Sequence, residues 1–130
     1  MWMAECRPQA QLVVPIGSPL RAAFLEWVFF ACTTLESAAY SLYFEKHPKT
    51  MGPALERLDF LLRHVERHLE TTDYAVADRF TVADILLSYV LELCRRRDLL
   101  EAYPSSIACV SRLASRPAAR LAGLFLDETW

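Results

Sequence analysis

Asparagine is absent from this 130-residue chain and glycine occurs only three times. The tight primed turns that join hairpin strands therefore have little to be built from. No alternation of period two is sustained anywhere along the chain, so a sheet is excluded and an all-α domain remains. Cysteine is sparse and scattered: Cys6, Cys32, Cys94 and Cys109 show no C-x-x-C spacing. They read as free thiols of a reducing compartment, with Cys32 and Cys94 in apolar surroundings and Cys6 in the exposed lead-in. No run reaches the roughly 18 uncharged apolar residues of a membrane span, and the start lacks a secretory-signal layout. The expectation is a cytoplasmic protein without a membrane partner. Charge of one sign is missing too, with 14 basic against 16 acidic residues, which excludes a field for gathering nucleic acid. The one basic cluster, Arg95-Arg96-Arg97, stands beside Asp98 where a helix would stop. It reads as a solvated end opposite the negative pole of the helix dipole.

What the chain does have is apolar surface. Hydrophobic residues make up 54% and mean hydropathy is +0.17, above the roughly 45 to 50% of ordinary domains. A chain of this length folds around one core, and the surplus predicts a face covered by a partner.

Residues 1–17 carry Pro8 and Pro15 and read as a lead-in that lies against the domain without a regular element. The domain spans 18–126, followed by a tail at 127–130. Ser18-Pro19 is a helix start, with Ser18 accepting from a free N–H and Pro19 in the first helical position. Leu20, Ala23, Phe24, Trp27, Val28, Ala31, Leu35, Ala38, Leu42 and Tyr43 follow at helical spacing until His47-Pro48 ends the pattern. Glu45 to Met51 reads as a loop. Gly52-Pro53 restarts helix, and Leu55, Leu58, Leu62, Val65 and Leu69 form a seam that packs against the first helix as an antiparallel hairpin. A third helix begins at Thr81 and is apolar on every side apart from Asp84, Ser88 and Glu92, so it must be central. Tyr103-Pro104-Ser105 opens a fourth, and Arg116-Pro117 breaks it before a last segment from Ala118 to about Phe125.

The opening of the central helix is the most specified point in the chain. Thr81 and Asp84 stand three apart, the spacing of a capping box, in which each side chain satisfies the other's backbone N–H. Phe80 and Ile85 occupy the positions of a hydrophobic staple around that box. Asp84 in an apolar helix could suggest a catalytic acid, but the cap already explains a carboxylate there.

The run from Asp73 through Tyr74, Phe80-Thr81-Val82-Ala83-Asp84 to Leu87 resembles the signature of the glutathione S-transferase C-terminal domain. That pattern is an aromatic, a turn, then F-[ST]-x-A-D. Arg21 to Trp27 with Phe29-Phe30 and Thr34-Leu35-Glu36 resembles the family's first long helix. Tyr103-Pro104 through Arg112-Leu113 to Arg116-Pro117-Ala118 resembles its later segment. The three motifs stand in the family's order and cover about Ser18 to Leu121. Two positions depart from it: Ala77 stands where glycine is usual, in a turn that calls for positive φ, and Cys109 where an aromatic is usual.

The resemblance implies a helical bundle that supplies one wall of a pocket for the hydrophobic co-substrate and a domain or dimer interface. Its candidate pocket residues are Phe30, Thr33, Thr34 and Ser37, with ordinary core packing as the plainer reading of Phe30. The family's thioredoxin-like half, which holds glutathione and activates its thiol, is not recognisable here, so no catalytic residue is assigned and the helical half is expected to be inactive alone. Glutathione enters as co-substrate only if such a half is supplied; no other cofactor is expected. The alternative is a non-catalytic interaction module, as the same fold serves in elongation-factor and aminoacyl-tRNA synthetase complexes. Either way the chain is expected to self-associate or to bind a thioredoxin-like or other protein through a patch including Trp27, Phe30, Leu124 and Phe125. His64 and His68, four apart, have metal-ligand spacing; with no third ligand evident they read as surface histidines, and no metal is assigned.

Overall fold

The computed structural model describes residues 2–44 and 48–123. Among them there are helices and no strands: α1 (Trp2–Glu5), a 3₁₀ turn (Pro8–Ala10), α2 (Arg21–Phe29), a π-helical turn (Phe30–Leu35), α3 (Glu36–Phe44), α4 (Pro48–Leu69), α5 (Val82–Arg95), α6 (Pro104–Ala114) and α7 (Pro117–Leu121). The first seventeen residues thus carry two short helical turns, against the expectation of none.

The first long helix begins two residues later than Ser18-Pro19 predicts. The Ser18 hydroxyl does accept from an N–H, that of Leu20 at 3.2 Å, but Pro19 and Leu20 form a turn and α2 opens at Arg21. From there α2, the π turn and α3 run as one uninterrupted rod. Its stretch Arg21–Leu42 is long and apolar enough to span a bilayer by length and mean hydropathy. Phe24, Ala31 and Leu35 on it are fully buried in the protein core, and the rod packs on α4 and α5. The expected stop at His47 lies outside the described residues.

Helix α4 opens at Pro48 rather than at Gly52-Pro53, so residues 48–51 are helix and not loop. Proline is compatible with a first helical position, and Pro53 withholds one N–H from the second turn. Contacts between Trp27 and His68, and between Phe30 and His64, run in opposite sequence directions and show that the rod and α4 are antiparallel. Leu58, Leu62, Val65 and Leu69 are buried. Leu55 at the start of the predicted seam is 40% exposed.

Helix α5 is the axis of the bundle, touching α2, the π turn, α3 and α6. Every residue from Val82 to Cys94 is buried or half-buried, and Ala83, Leu87 and Leu91 expose nothing. Burying a leucine completely is worth roughly 1.5 to 3 kcal/mol, so this helix carries a large share of the cohesion. The lead-in is fastened to it: Val82 N–H donates to the Leu12 carbonyl at 2.8 Å, while Arg79 and Arg21 donate to the carbonyls of Val13 and Val14, each at 2.6 Å.

Candidate functional site

Phe30, Thr33 and Thr34 all lie within the π turn, and Ser37 stands one turn further on. A local cause for the widened turn is visible. The Thr33 hydroxyl donates to the Phe29 carbonyl at 2.6 Å, competing with the backbone N–H that would normally take that acceptor. The Cys32 thiol leans on the same carbonyl at 3.9 Å. Wide turns of this type concentrate at functional sites, and nothing in the hydrophobic spacing announces one.

The four side chains differ in exposure. Thr33 and Ser37 are exposed and Thr34 is half-buried, with the two threonine hydroxyls 3.5 Å apart. Phe30 is half-buried rather than core. Its ring stands edge-on to Trp27 at 5.5 Å and meets His64 at 5.4 Å. Cys32 is also half-buried, not the buried thiol its neighbours suggest.

Trp27 is buried, which removes it from any exposed patch. Exposed apolar groups among the described residues include Phe29, Phe44 and Phe60, 57%, 79% and 72% exposed. Leu124 and Phe125 lie outside the described residues. His64 is exposed, as expected of a surface histidine, while His68 is half-buried. His64 stacks on Trp27 at 5.7 Å. The His68 ring packs against the same indole at 4.4 Å, with Nε2 3.1 Å from the Ala75 carbonyl and 3.3 Å from that of Tyr74. Their spacing serves an aromatic stack.

At the start of α5, Asp84 Oδ2 accepts from the Thr81 N–H at 2.7 Å and from the Thr81 hydroxyl at 3.1 Å. Oδ1 accepts from the Ala75 N–H at 2.7 Å, a bond that ties the preceding loop to the helix and that capping-box spacing does not foretell. Burial pushes the Asp84 carboxyl above its ordinary value against the pull of these bonds. The Phe80 ring meets Tyr74 at 6.4 Å and lies under the Arg116 guanidinium; Ile85 is half-buried one turn along α5. Ala77 takes φ +54°, so the turn keeps the left-handed conformation that favours glycine and bears its strain.

Two further buried acids have partners that the sequence reading did not assign. Glu66 on α4 accepts from the N–H groups of Ser105 and Ser106 at 2.8 and 2.9 Å and from the Ser106 hydroxyl at 2.8 Å, capping α6 from another helix. Glu92 near the end of α5 takes two bonds from Arg95, at 2.6 and 2.8 Å, and one from Arg96 at 2.9 Å. The Arg95-Arg96-Arg97 cluster is thus in part the counter-charge of a buried carboxylate, which must be paired to be tolerated. Between α3 and α5 the hydroxyls of Tyr40 and Tyr89 meet at 2.7 Å. The Glu66 and Tyr40–Tyr89 pairs have no signal in local spacing, since their partners lie on different elements, whereas Glu92 stands three and four residues before Arg95 and Arg96, the spacing of neighbours on one helix face.

The buried thiols are poor nucleophiles: burial pushes Cys94 up to about 12 and raises Cys109 as well, leaving little thiolate at neutral pH.

The family profile of the glutathione S-transferase C-terminal domain matches residues 34–120. Glutathione S-transferase GstA of Escherichia coli O157:H7 is 29% identical over 118 residues, covering 89% of this chain and 59% of that protein. The crystal structure of a glutathione transferase from Methylococcus capsulatus str. Bath superposes with a TM-score of 0.84 at 30% identity, over 93% of this chain and 61% of that one. A sphingomonad glutathione S-transferase complexed with glutathione gives 0.85 at 25% identity, over 96% and 64%. The chain spans about three-fifths of the length of these relatives. With the all-helical bundle and the capped central helix on the same residues, the chain belongs to the glutathione S-transferase C-terminal domain family.

Proposed function

We propose that this chain is the helical half of a glutathione S-transferase-like protein, in which Phe30, Thr33, Thr34 and Ser37 form a wall of the hydrophobic co-substrate pocket. The observation that supports this reading is the π turn, which contains the half-buried Phe30 and the neighbouring hydroxyls of Thr33 and Thr34. An apolar electrophile would rest on the ring while the hydroxyls orient its polar substituent. Capture and activation of glutathione belong to a thioredoxin-like half, in line with the three-fifths of its relatives' length that the chain spans. A cytoplasmic location goes with that role.

The test is a conjugation assay with glutathione and an aryl halide, run beside retention on immobilised glutathione. The chain as given is expected to do neither. Joined to the thioredoxin-like half of a relative it is expected to conjugate, and Phe30→Ala then raises KM for the halide with little change in that for glutathione. Turnover by the chain alone would overturn the assignment.

The exposed rings of Phe29, Phe44 and Phe60 favour a second reading, a non-catalytic module that assembles with another protein or with itself. Sedimentation separates the two: a strictly monomeric chain that binds no hydrophobic dye rules this one out.

A further inference from the structure

Residues 12–14 are held on the bundle by groups that all belong to other segments. The Val82 N–H at the start of α5 donates to the Leu12 carbonyl at 2.8 Å, the Arg79 guanidinium to that of Val13 and the Arg21 guanidinium to that of Val14, each at 2.6 Å. Val14 is 2% exposed and belongs to the core, and Arg21 also reaches Glu5 at 2.9 Å. Donors for three successive carbonyls and a slot for one valine make an acceptor for the lead-in. It shares no residue with the Phe30–Ser37 face.

The connection from this segment to α2 is slight. Residues 15–20 are all exposed except the half-buried Ser18. They are folded back by turn bonds, from the Ser18 N–H to the Pro15 carbonyl at 3.2 Å, from the Leu20 N–H to the Ser18 hydroxyl at 3.2 Å and from the Arg21 N–H to the Ser18 carbonyl at 3.0 Å. Pro15 and Pro19 bias the residues before them, Val14 and Ser18, toward extended backbone, so the hinge straightens once its turns open. Short hinges of this kind invite exchange of the segment ahead of them between copies. An opened chain leaves the Val82 N–H without its acceptor and Val14 without cover, a cost that presses for replacement by the same groups. Ile16 is 88% exposed within the closed hinge.

We propose that the acceptor formed by Arg21, Arg79 and Val82 takes the lead-in of a second copy of this chain, residues 12–14 of each protomer docking on the bundle of the other in a twofold dimer. The occupant is a second copy because it brings the same three carbonyls, the same valine and the same Glu5 for Arg21, so every contact of the closed monomer is remade. What the dimer gains over two monomers is cover for Ile16 where the two hinges cross.

The test is complementation between two variants of the full chain. Arg79→Ala keeps an intact lead-in and has a damaged acceptor; Val14→Asp keeps the acceptor and has a lead-in that cannot bury its valine position. Protection of the Val82 amide from hydrogen exchange is read in isotope-labelled Val14→Asp, where it is expected to be about tenfold or more below wild type. Unlabelled Arg79→Ala, added to about 1 mM, the order of the effective concentration it must match, is expected to restore most of that protection and to give a dimer in sedimentation. Unchanged protection in Val14→Asp alone, or none restored on mixing, overturns the proposal. Should Val14→Asp fail to fold, wild type decides: at about 1 mM it is expected to form a dimer that an excess of a peptide of residues 8–16 converts to monomer. A chain that stays monomeric there, or a dimer indifferent to the peptide, overturns the proposal as well.

Discussion

Glu66 and Ser106, forty positions apart, are joined twice: one carboxylate oxygen takes both the backbone N–H and the hydroxyl of the serine. The other oxygen holds the N–H of Ser105, so the first turn of α6 is capped from outside its own segment. Glu66→Ala should cost about 3 kcal/mol, combining a lost cap with buried donors left unmet. Denaturant unfolding checks this, with Glu70→Ala, at an exposed position, as a control expected within about 0.5 kcal/mol of wild type.

Acid should undo the same contact. Burial pushes Glu66 up, but the bonds from Ser105 and Ser106 together outweigh it and hold the carboxyl below its ordinary 4.5. Glu92 follows the same pattern, raised by burial and pulled lower by Arg95 and Arg96. A depressed acid contributes stability that is complete above its unfolded value and is lost as pH falls through the folded one. Asp84 runs the other way. Raised from 3.8 by burial, it contributes stability that is complete below that value and lost as pH climbs through the raised one. Melting temperature should therefore fall on acidification below pH 4.5, less steeply in Glu66→Gln and more steeply in Asp84→Asn. A Glu66→Gln curve parallel to wild type would refute this account.

The Asp84 carboxylate serves two buried N–H groups, those of Thr81 and Ala75. Asp84→Ala should cost about 3 kcal/mol, more than the roughly 1 kcal/mol of an ordinary helix cap, because the loop donor is stranded as well. Hydrogen exchange gives the sharper readout: the Ala75 amide should lose protection along with that of Thr81. If only Thr81 responds, the loop does not depend on this carboxylate.

Ala77 is held at φ +54°, where a Cβ costs about 1 to 2 kcal/mol. Ala77→Gly removes that cost and adds back some unfolded-chain entropy. A net stabilisation of about 0.5 to 1 kcal/mol should appear as a raised denaturation midpoint at unchanged m-value.

Much of this architecture could be read from the chain because it is written in local spacing. Thr81 and Asp84 three apart, and an apolar circumference from Val82 to Cys94, specify a capped central helix without reference to anything else. Ala77 marked a turn under strain only through the family resemblance, whose pattern has glycine at that place. The π turn was hidden because its cause is a hydroxyl competing for one carbonyl, which leaves hydrophobic periodicity untouched. Glu66 looked like any acid on a polar helix face, as its partners come forty residues later. Phe30 read either as pocket wall or as core, and the rod turns it toward His64 at the rim of the packing.

The bonds that fasten residues 12–14 to α5, to Arg79 and to Arg21 turn the lead-in into a short leash. Whatever is joined ahead of it, natural or engineered, hangs from the axis of the bundle. Even fully stretched, the eleven residues before that knot reach only about 35 to 40 Å. A partner on such a leash meets the helical face at an effective concentration of the order of millimolar, so even a weak mutual surface would stay occupied.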